Sequence, residues 1–197
     1  MNICIIPARG GSQRIKHKNI KKFHGKPIIQ YSMALAEESG LFSDIVVSTD
    51  DKEIASFAHD MGVRVHSRPE TMARDEVGTQ EVARDVLIHE KNIGYREYKY
   101  ACVLYATSPL LGVSELIHGY KLKKEYSGFA FCHSVDRYGV DAGTFYWGEP
   151  NEFIFNTPLY DNSIRLTVQY PCDINDMEDW KEAEKIFEEI NHVKKYG

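Results

Sequence analysis

Residues Ile6 to Asn19 read IPARGGSQRIKHKN, and between residues 9 and 22 the chain carries Arg9, Arg14, Lys16, Lys18, Lys21 and Lys22 without a single acid. Their fields therefore add instead of cancelling. At an effective dielectric near 20, two unit charges about 4 Å apart interact by about 4 kcal/mol, so two or three such groups converging on a polyphosphate would orient it. Gly10 and Gly11 leave the neighbouring main chain open to a close-approaching anion, and Ser12 adds a hydroxyl. The stretch matches neither common phosphate fingerprint: the third glycine of G-x-G-x-x-G is missing, and no G-K-[ST] follows. The competing reading is a solvated basic surface; the glycines and the position directly behind an apolar run argue against it.

Such a loop needs a strand to hold it. The opening run NICII reads as that strand, which puts the cationic stretch at its carboxyl end, where open α/β sheets bind ligands. Next come PIIQYSMALAEESG, DIVVST, DDKEIASFAHDMG and VRVH, the alternation of βαβ units. Pro27 suits the N1 position of the first helix, Ile28, Tyr31 and Leu35 share one face, and Gly40 can stop it. Asp50 followed by Glu53 resembles a capping box for the second. A helix near Thr79 to Glu90, a strand at YACVLYA, a helix from about Val113 to Glu125 and a strand at GFAFCHSV continue the rhythm.

From 138 to 170 the text turns aromatic and turn-rich, which suggests strands and loops laid over one end of the sheet. DMEDWKEAEKIFEEI then closes the chain as an amphipathic helix. The expectation is one α/β, Rossmann-like domain over 1–197, with a mainly parallel sheet flanked by helices and a reduced strand and loop insertion at about 138–170.

A formal net charge of -5 argues against general affinity for nucleic acid or anionic membranes, so the basic loop is a local feature. Cys4, Cys102, Cys132 and Cys172 lie far apart with no C-x-x-C pair, which reads as buried reduced thiols. No run approaches the ~20 apolar residues needed to span a bilayer, and the first residues lack a signal peptide's pattern; the expected location is the cytoplasm.

Ile6 to Ser12, Lys18-Asn19-Ile20 and Gly25-Lys26-Pro27 together resemble the N-terminal signature of the CMP-sialic acid synthetases, the acylneuraminate cytidylyltransferases. VVSTDD (Val46 to Asp51), RPETMARD (Arg68 to Asp75), LYATSPL (Leu104 to Leu110) and DINDMEDW (Asp173 to Trp180) follow in that family's order. Tyr105, where sialic acid enzymes usually carry glutamine, and DAGTFYWG (Asp141 to Gly148) resemble the pseudaminic acid cytidylyltransferase branch.

The resemblance implies a nucleotidyltransferase fold and transfer of CMP from CTP to the anomeric hydroxyl of a nine-carbon 2-keto acid sugar, with Mg²⁺ as cofactor and a homodimer as the assembly. It makes Arg9 and Lys18 catalytic contacts to the triphosphate. Ala8, Gly10, Gly11, Ser12, Asn19, Arg68 and Thr79 would join them in holding the nucleotide. Tyr105 and Thr107 would face the sugar, and Asp173 and Asn175 the metal.

Three departures from the family pattern stand out. Asn175 occupies the place of a second metal carboxylate; it can bind a hard cation through its amide oxygen, or Asp176 can reach in instead, or Asn175 can be an N-cap with Glu178 three residues on. Gln13 stands where a basic residue is common. Only DRY and GV separate CHSV from DAGTFYWG, where relatives carry several tens of residues that include sugar-facing and dimer-forming parts. These departures keep open a catalytically weak nucleotide-binding homologue, and an N-acetylneuraminate or legionaminate specificity. Phe145, Tyr146 and Trp147 are candidates to wall a sugar pocket, Trp147 and Trp180 to anchor the core.

Overall fold

The computed structural model describes residues 1–74, 76–93 and 95–196, with side chains up to 192; Asp75, at the end of the RPETMARD stretch, lies outside the described residues. A seven-stranded sheet runs through the molecule in the order β5-β4-β1-β6-β8-β7-β9. β1 (Asn2–Pro7) lies between β4 (Asp44–Thr49) and β6 (Tyr100–Leu104), parallel to both, and β5 (Arg64–Ser67) extends the parallel set beyond β4. A short antiparallel ribbon, β2 (Lys22–Phe23) with β3 (Lys26–Pro27), stands apart from the sheet.

Alternate residues of β1 face opposite layers. Cys4 and Ile6 pack with α1 (Ile28–Ser39), α2 (Lys52–Asp60) and α4 (Val113–Glu125); Ile3 and Ile5 pack with α3 (Thr79–Asn92) and α5 (Pro150–Ile154). Helices therefore cover both faces, as a parallel sheet requires. All four cysteines are free and buried, and burial raises their thiols above the ordinary range. No described helix is long and apolar enough to cross a membrane.

Two expectations about helix starts shift by one residue. Pro27 precedes α1, with an extended backbone (φ −51°, ψ 134°), and the helix begins at Ile28; Gly40 ends it in the left-handed region at φ 62°. The cap of α2 is Asp51, whose Oδ1 accepts from the backbone N–H groups of Glu53 (2.8 Å) and Ile54 (3.0 Å).

The aromatic segment also corrects the sequence reading. β8 (Asp141–Gly148) does not overlie the sheet but enters it, antiparallel to both β6 and β7 (Phe131–Val135), and β9 (Ser163–Thr167) closes that edge parallel to β7. Ala142 to Gly148 are buried on both faces, so the polar alternation that marks a surface strand is missing. The link from β7 to β8 is a closed hairpin in which Asp136 Oδ1 accepts from the N–H groups of Tyr138 and Val140.

α6 (Met177–Tyr196) docks on the β2–β3 ribbon, where Trp180, Ala183 and Phe187 pack with Phe23, Ile28 and Tyr31. This brings the loop ahead of α6 against the loop that follows β1.

Candidate active site

β1, β4 and β6 end on the same side of the sheet, and the loops leaving them frame a cavity of about 180 Å³. Eight of the residues expected from the sequence line it: Arg9, Ser12, Lys18, Asn19 and Arg68 on one side, Thr79, Tyr105 and Thr107 on the other. A larger hollow of about 350 Å³ beneath α3 and α5 takes residues of both charge signs, including Arg96, Glu97 and Glu149, at the opposite end of β6. It shares none of these groups.

Ala8, Gly10 and Gly11 complete the expected nucleotide contacts, and the contacts these residues and Asn19 make within the chain shape the loop. Ala8 is buried, and its N–H continues the sheet by donating to Ser48 O at 2.9 Å. The Gly10 N–H donates to Asp50 Oδ1 at 3.0 Å. A Cβ on Gly10 would stand 2.5 Å from Asp51 Oδ2, so this glycine allows the loop to lie on the cap of α2. Gly11 is exposed and has open space where a side chain would stand. Asn19 is buried, and its Nδ2 donates to Arg9 O at 2.9 Å, holding the turn of the cationic loop.

Arg68 is also buried, with its guanidinium donating to Ser48 O at 2.8 Å. Burial pulls it below the ordinary arginine range, opposed by the charge of Asp50. Lys18 Nζ donates to Ile174 O at 2.7 Å and so ties the first loop to the chain ahead of α6. Its ammonium is pulled below the ordinary lysine range by burial, while Asp173 draws it back up.

Across the cavity, Thr79 Oγ1 and the Tyr105 hydroxyl share a 2.7 Å hydrogen bond. Thr79 opens α3, whose N-terminal N–H groups favour negative charge. The Thr79–Tyr105 pair is a partition, because the same two residues also line a second cavity of about 330 Å³ with Gln80, Tyr146, Asn156 and Tyr160.

Two of that cavity's tyrosines share one acceptor: Asp141 Oδ2 accepts from the Tyr146 hydroxyl, and from Tyr160 at 3.1 Å. Burial raises both phenols above the ordinary range. Behind them His133 stacks on Tyr146 and hydrogen-bonds Ser163 Oγ at 2.6 Å; burial lowers its imidazole below the usual value. Of the three aromatic candidates only Tyr146 faces this space. Phe145 and Trp147 point into the opposite layer, where Trp147 Nε1 donates to Leu116 O. Tyr160 was not singled out from the sequence, and Asp141 was met there only as the first residue of DAGTFYWG, since a lone tyrosine in a turn-rich segment and an acid opening an aromatic run do not announce that they meet.

Asp173 and Asn175 stand beside the first cavity on the loop that Lys18 tethers. The Asp173 carboxyl rests on Gly143, whose positive φ of 59° and missing Cβ make room for it. Asn175 Nδ2 donates to Asp173 Oδ2 at 2.8 Å, and Asn175 Oδ1 accepts from Arg14 at 3.0 Å. Asn175 is not the cap of α6: Asp176 Oδ1 accepts from the N–H groups of Glu178 and Asp179, and Asp179 Oδ2 accepts from those of Asn175 and Asp176. No group of three or more acids, histidines or cysteines able to hold a metal forms among the described residues.

Comparison with known proteins places this geometry. The chain is 32% identical to a pseudaminic acid cytidylyltransferase of Campylobacter jejuni, over 97% of each chain. It is 30% identical to an N-acylneuraminate cytidylyltransferase of Escherichia coli over 68% of this chain and 31% of that one. The solved structure of a CMP:2-keto-3-deoxy-manno-octonic acid synthetase complexed with CTP has the same fold, with a TM-score of 0.74 at 13% identity over 95% of this chain and 98% of that one. A nucleotidyl transferase from Methanothermobacter shares the fold likewise, at a TM-score of 0.72 and 13% identity over 96% and 99% of the two chains. The family model described as cytidylyltransferase matches residues 3–134, and the chain belongs to that family of nucleotidyltransferases.

Proposed function

We propose that the protein transfers CMP from CTP to the anomeric hydroxyl of a nonulosonic acid, with pseudaminic acid as the leading substrate. The observation that carries this reading is the pair of cavities sharing the Thr79–Tyr105 wall, one rich in cations and the other in hydroxyls and aromatic faces. The similarity to pseudaminic acid cytidylyltransferases over nearly the whole chain supports the choice of sugar.

In this reading Arg9, Lys18 and Arg68 neutralise the triphosphate, and Ser12 and the N-terminus of α3 add hydrogen-bond donors. Asn19 holds the loop in shape. Tyr105, with Thr107 beside it, separates nucleotide from sugar, and Tyr146 and Tyr160 line the sugar's side. The sugar oxygen attacks the α-phosphorus and its proton is lost to water. The bond from that phosphorus to the β-phosphate oxygen breaks, and pyrophosphate leaves with the electron pair. The protein's part is positioning and charge neutralisation, which dominate catalysis of phosphoryl-group chemistry.

Mg²⁺ fits through Asp173. A single exposed carboxylate seated on a glycine is a poor cage, but Mg²⁺ keeps waters and is commonly held by one or two carboxylates plus substrate phosphates. When bound, it supplies positive charge to the phosphate oxygens. The cytoplasm, where CTP is made, is the compartment this reading requires, and four free thiols agree with it.

The test is pyrophosphate release with CTP and Mg²⁺ on pseudaminic, legionaminic and N-acetylneuraminic acids in turn. Turnover on pseudaminic acid above the other two is expected. CTP binding without turnover on any of the three would instead establish a nucleotide-binding homologue.

A further inference from the structure

We propose that Asn175 is a positioning residue that leaves Asp173 as the one carboxylate offered to the metal, so that the divalent ion arrives with the triphosphate and is not held by the nucleotide-free protein. The inference rests on the reading of the cleft as a CTP site.

The amide of Asn175 is fixed at both ends. Its oxygen accepts from Arg14 at 3.0 Å and its nitrogen donates to Asp173 Oδ2 at 2.8 Å. Turning the amide over would set its oxygen against a carboxylate and its NH₂ against a guanidinium, so both contacts would become repulsive. The orientation is thus dictated by its neighbours, and the oxygen that could ligate a cation faces the Arg14 guanidinium, whose positive charge opposes a metal ion there.

Among the described residues the neighbouring acids are otherwise engaged. Asp176 and Asp179 are engaged with backbone N–H groups at the start of α6, and Asp141 with Tyr146, Tyr160 and the Gly143 N–H. A carboxylate at position 175, at the same distance from Asp173, would form a like-charged pair that only a bound cation or a proton could relieve. The amide removes that demand. The loop is electrostatically satisfied without metal, and the charge that draws in a divalent ion is completed by the phosphates.

Mn²⁺ serves as the probe, followed by paramagnetic resonance on nucleotide-free protein, with CTP affinity measured calorimetrically on the same preparations and melting temperature as the check on folding. Asn175→Asp is expected to tighten Mn²⁺ binding without nucleotide by about tenfold or more, since ligand charge count sets affinity at such sites. Adding Asp173→Asn to that variant should abolish the gain. Equal Mn²⁺ affinity in wild type and Asn175→Asp, with CTP bound normally by both, would overturn the inference alone. Failure of the wild type to bind CTP even with Mn²⁺ present would overturn the functional reading and this inference with it.

Discussion

Lys18 is the residue on which the two loops of the site converge. Its side chain lines the cavity proposed for the nucleotide, and its ammonium donates to Ile174 O, one residue after Asp173. Lys18→Met keeps the length and apolar stem of the side chain and deletes the charge. Removing one donor aimed at developing charge typically costs 10² to 10³ in rate, so kcat/KM for CTP should fall about 100-fold while the melting temperature changes little. Steady-state pyrophosphate release and thermal melts check both halves, and near-normal kinetics would remove Lys18 from the site. Tyr105 poses a different question at the same scale. Its hydroxyl is bound to Thr79 and stands between two cavities, so a Phe there would leave each space its shape and remove only the polar seam.

At the scale of elements, the cationic loop can be located only because two helix starts are built to the residue. Gly10 lies on the Asp51 cap of α2, with no room for a Cβ, whereas Gly11 faces open space. Gly10→Ala should therefore displace the cap and lower stability by about 1–2 kcal/mol, the range of a lost N-cap, while Gly11→Ala leaves it nearly unchanged; urea unfolding of the two variants checks this. β7 carries a second test. Burial lowers the His133 imidazole below its usual value of 6.5, so on acidification the unfolded chain takes up its proton first. The stability held by neutral His133 is fully present above pH 6.5 and is lost as pH falls through the lowered folded value. The wild type should thus lose melting temperature between pH 7 and pH 5 faster than His133→Gln, and parallel curves would refute it. The alternation of strands and helices was legible because β1, β4 and β6 are short apolar runs separated by periodic helices. β8 was not, because a strand buried on both faces and filled with aromatics lacks the period of two. Two polar pairs open helices alike: in Asp50-Asp51, where the first residue was expected to cap, and in Asn175-Asp176, where the cap was one of three readings of Asn175, the second residue caps and the first turns back toward the cationic loop. A sequence shows that a cap is available, but not which neighbour the fold needs elsewhere.

Across the whole molecule, the site joins the two ends of the chain. Residues 9–19 form the cationic loop proposed to hold the phosphates, Asp173 lies more than 150 positions later, and α6 holds the two together by packing Trp180 and Phe187 against Phe23 and Tyr31. Nothing in the local text of either end states this meeting, and only the order of the family's motifs made it visible beforehand. The docking can be loosened without touching a polar group of the site. Phe187 is half-buried and meets the rings of Phe23, His24 and Tyr31 edge-on or stacked. Truncating a fully buried Phe costs 3–5 kcal/mol, so Phe187→Ala should cost about 2 kcal/mol. If α6 serves to seat Asp173, the variant held well below its melting temperature should bind CTP in metal-free buffer about as tightly as wild type, because Arg9, Arg68 and Thr79 do not depend on that helix. Its kcat should fall severalfold, and its requirement for Mg²⁺ should move to higher concentration. Loss of metal-free CTP affinity in proportion to kcat would show instead that α6 supports the phosphate loop itself, since Lys18 and the β2–β3 ribbon beneath it would then have moved together.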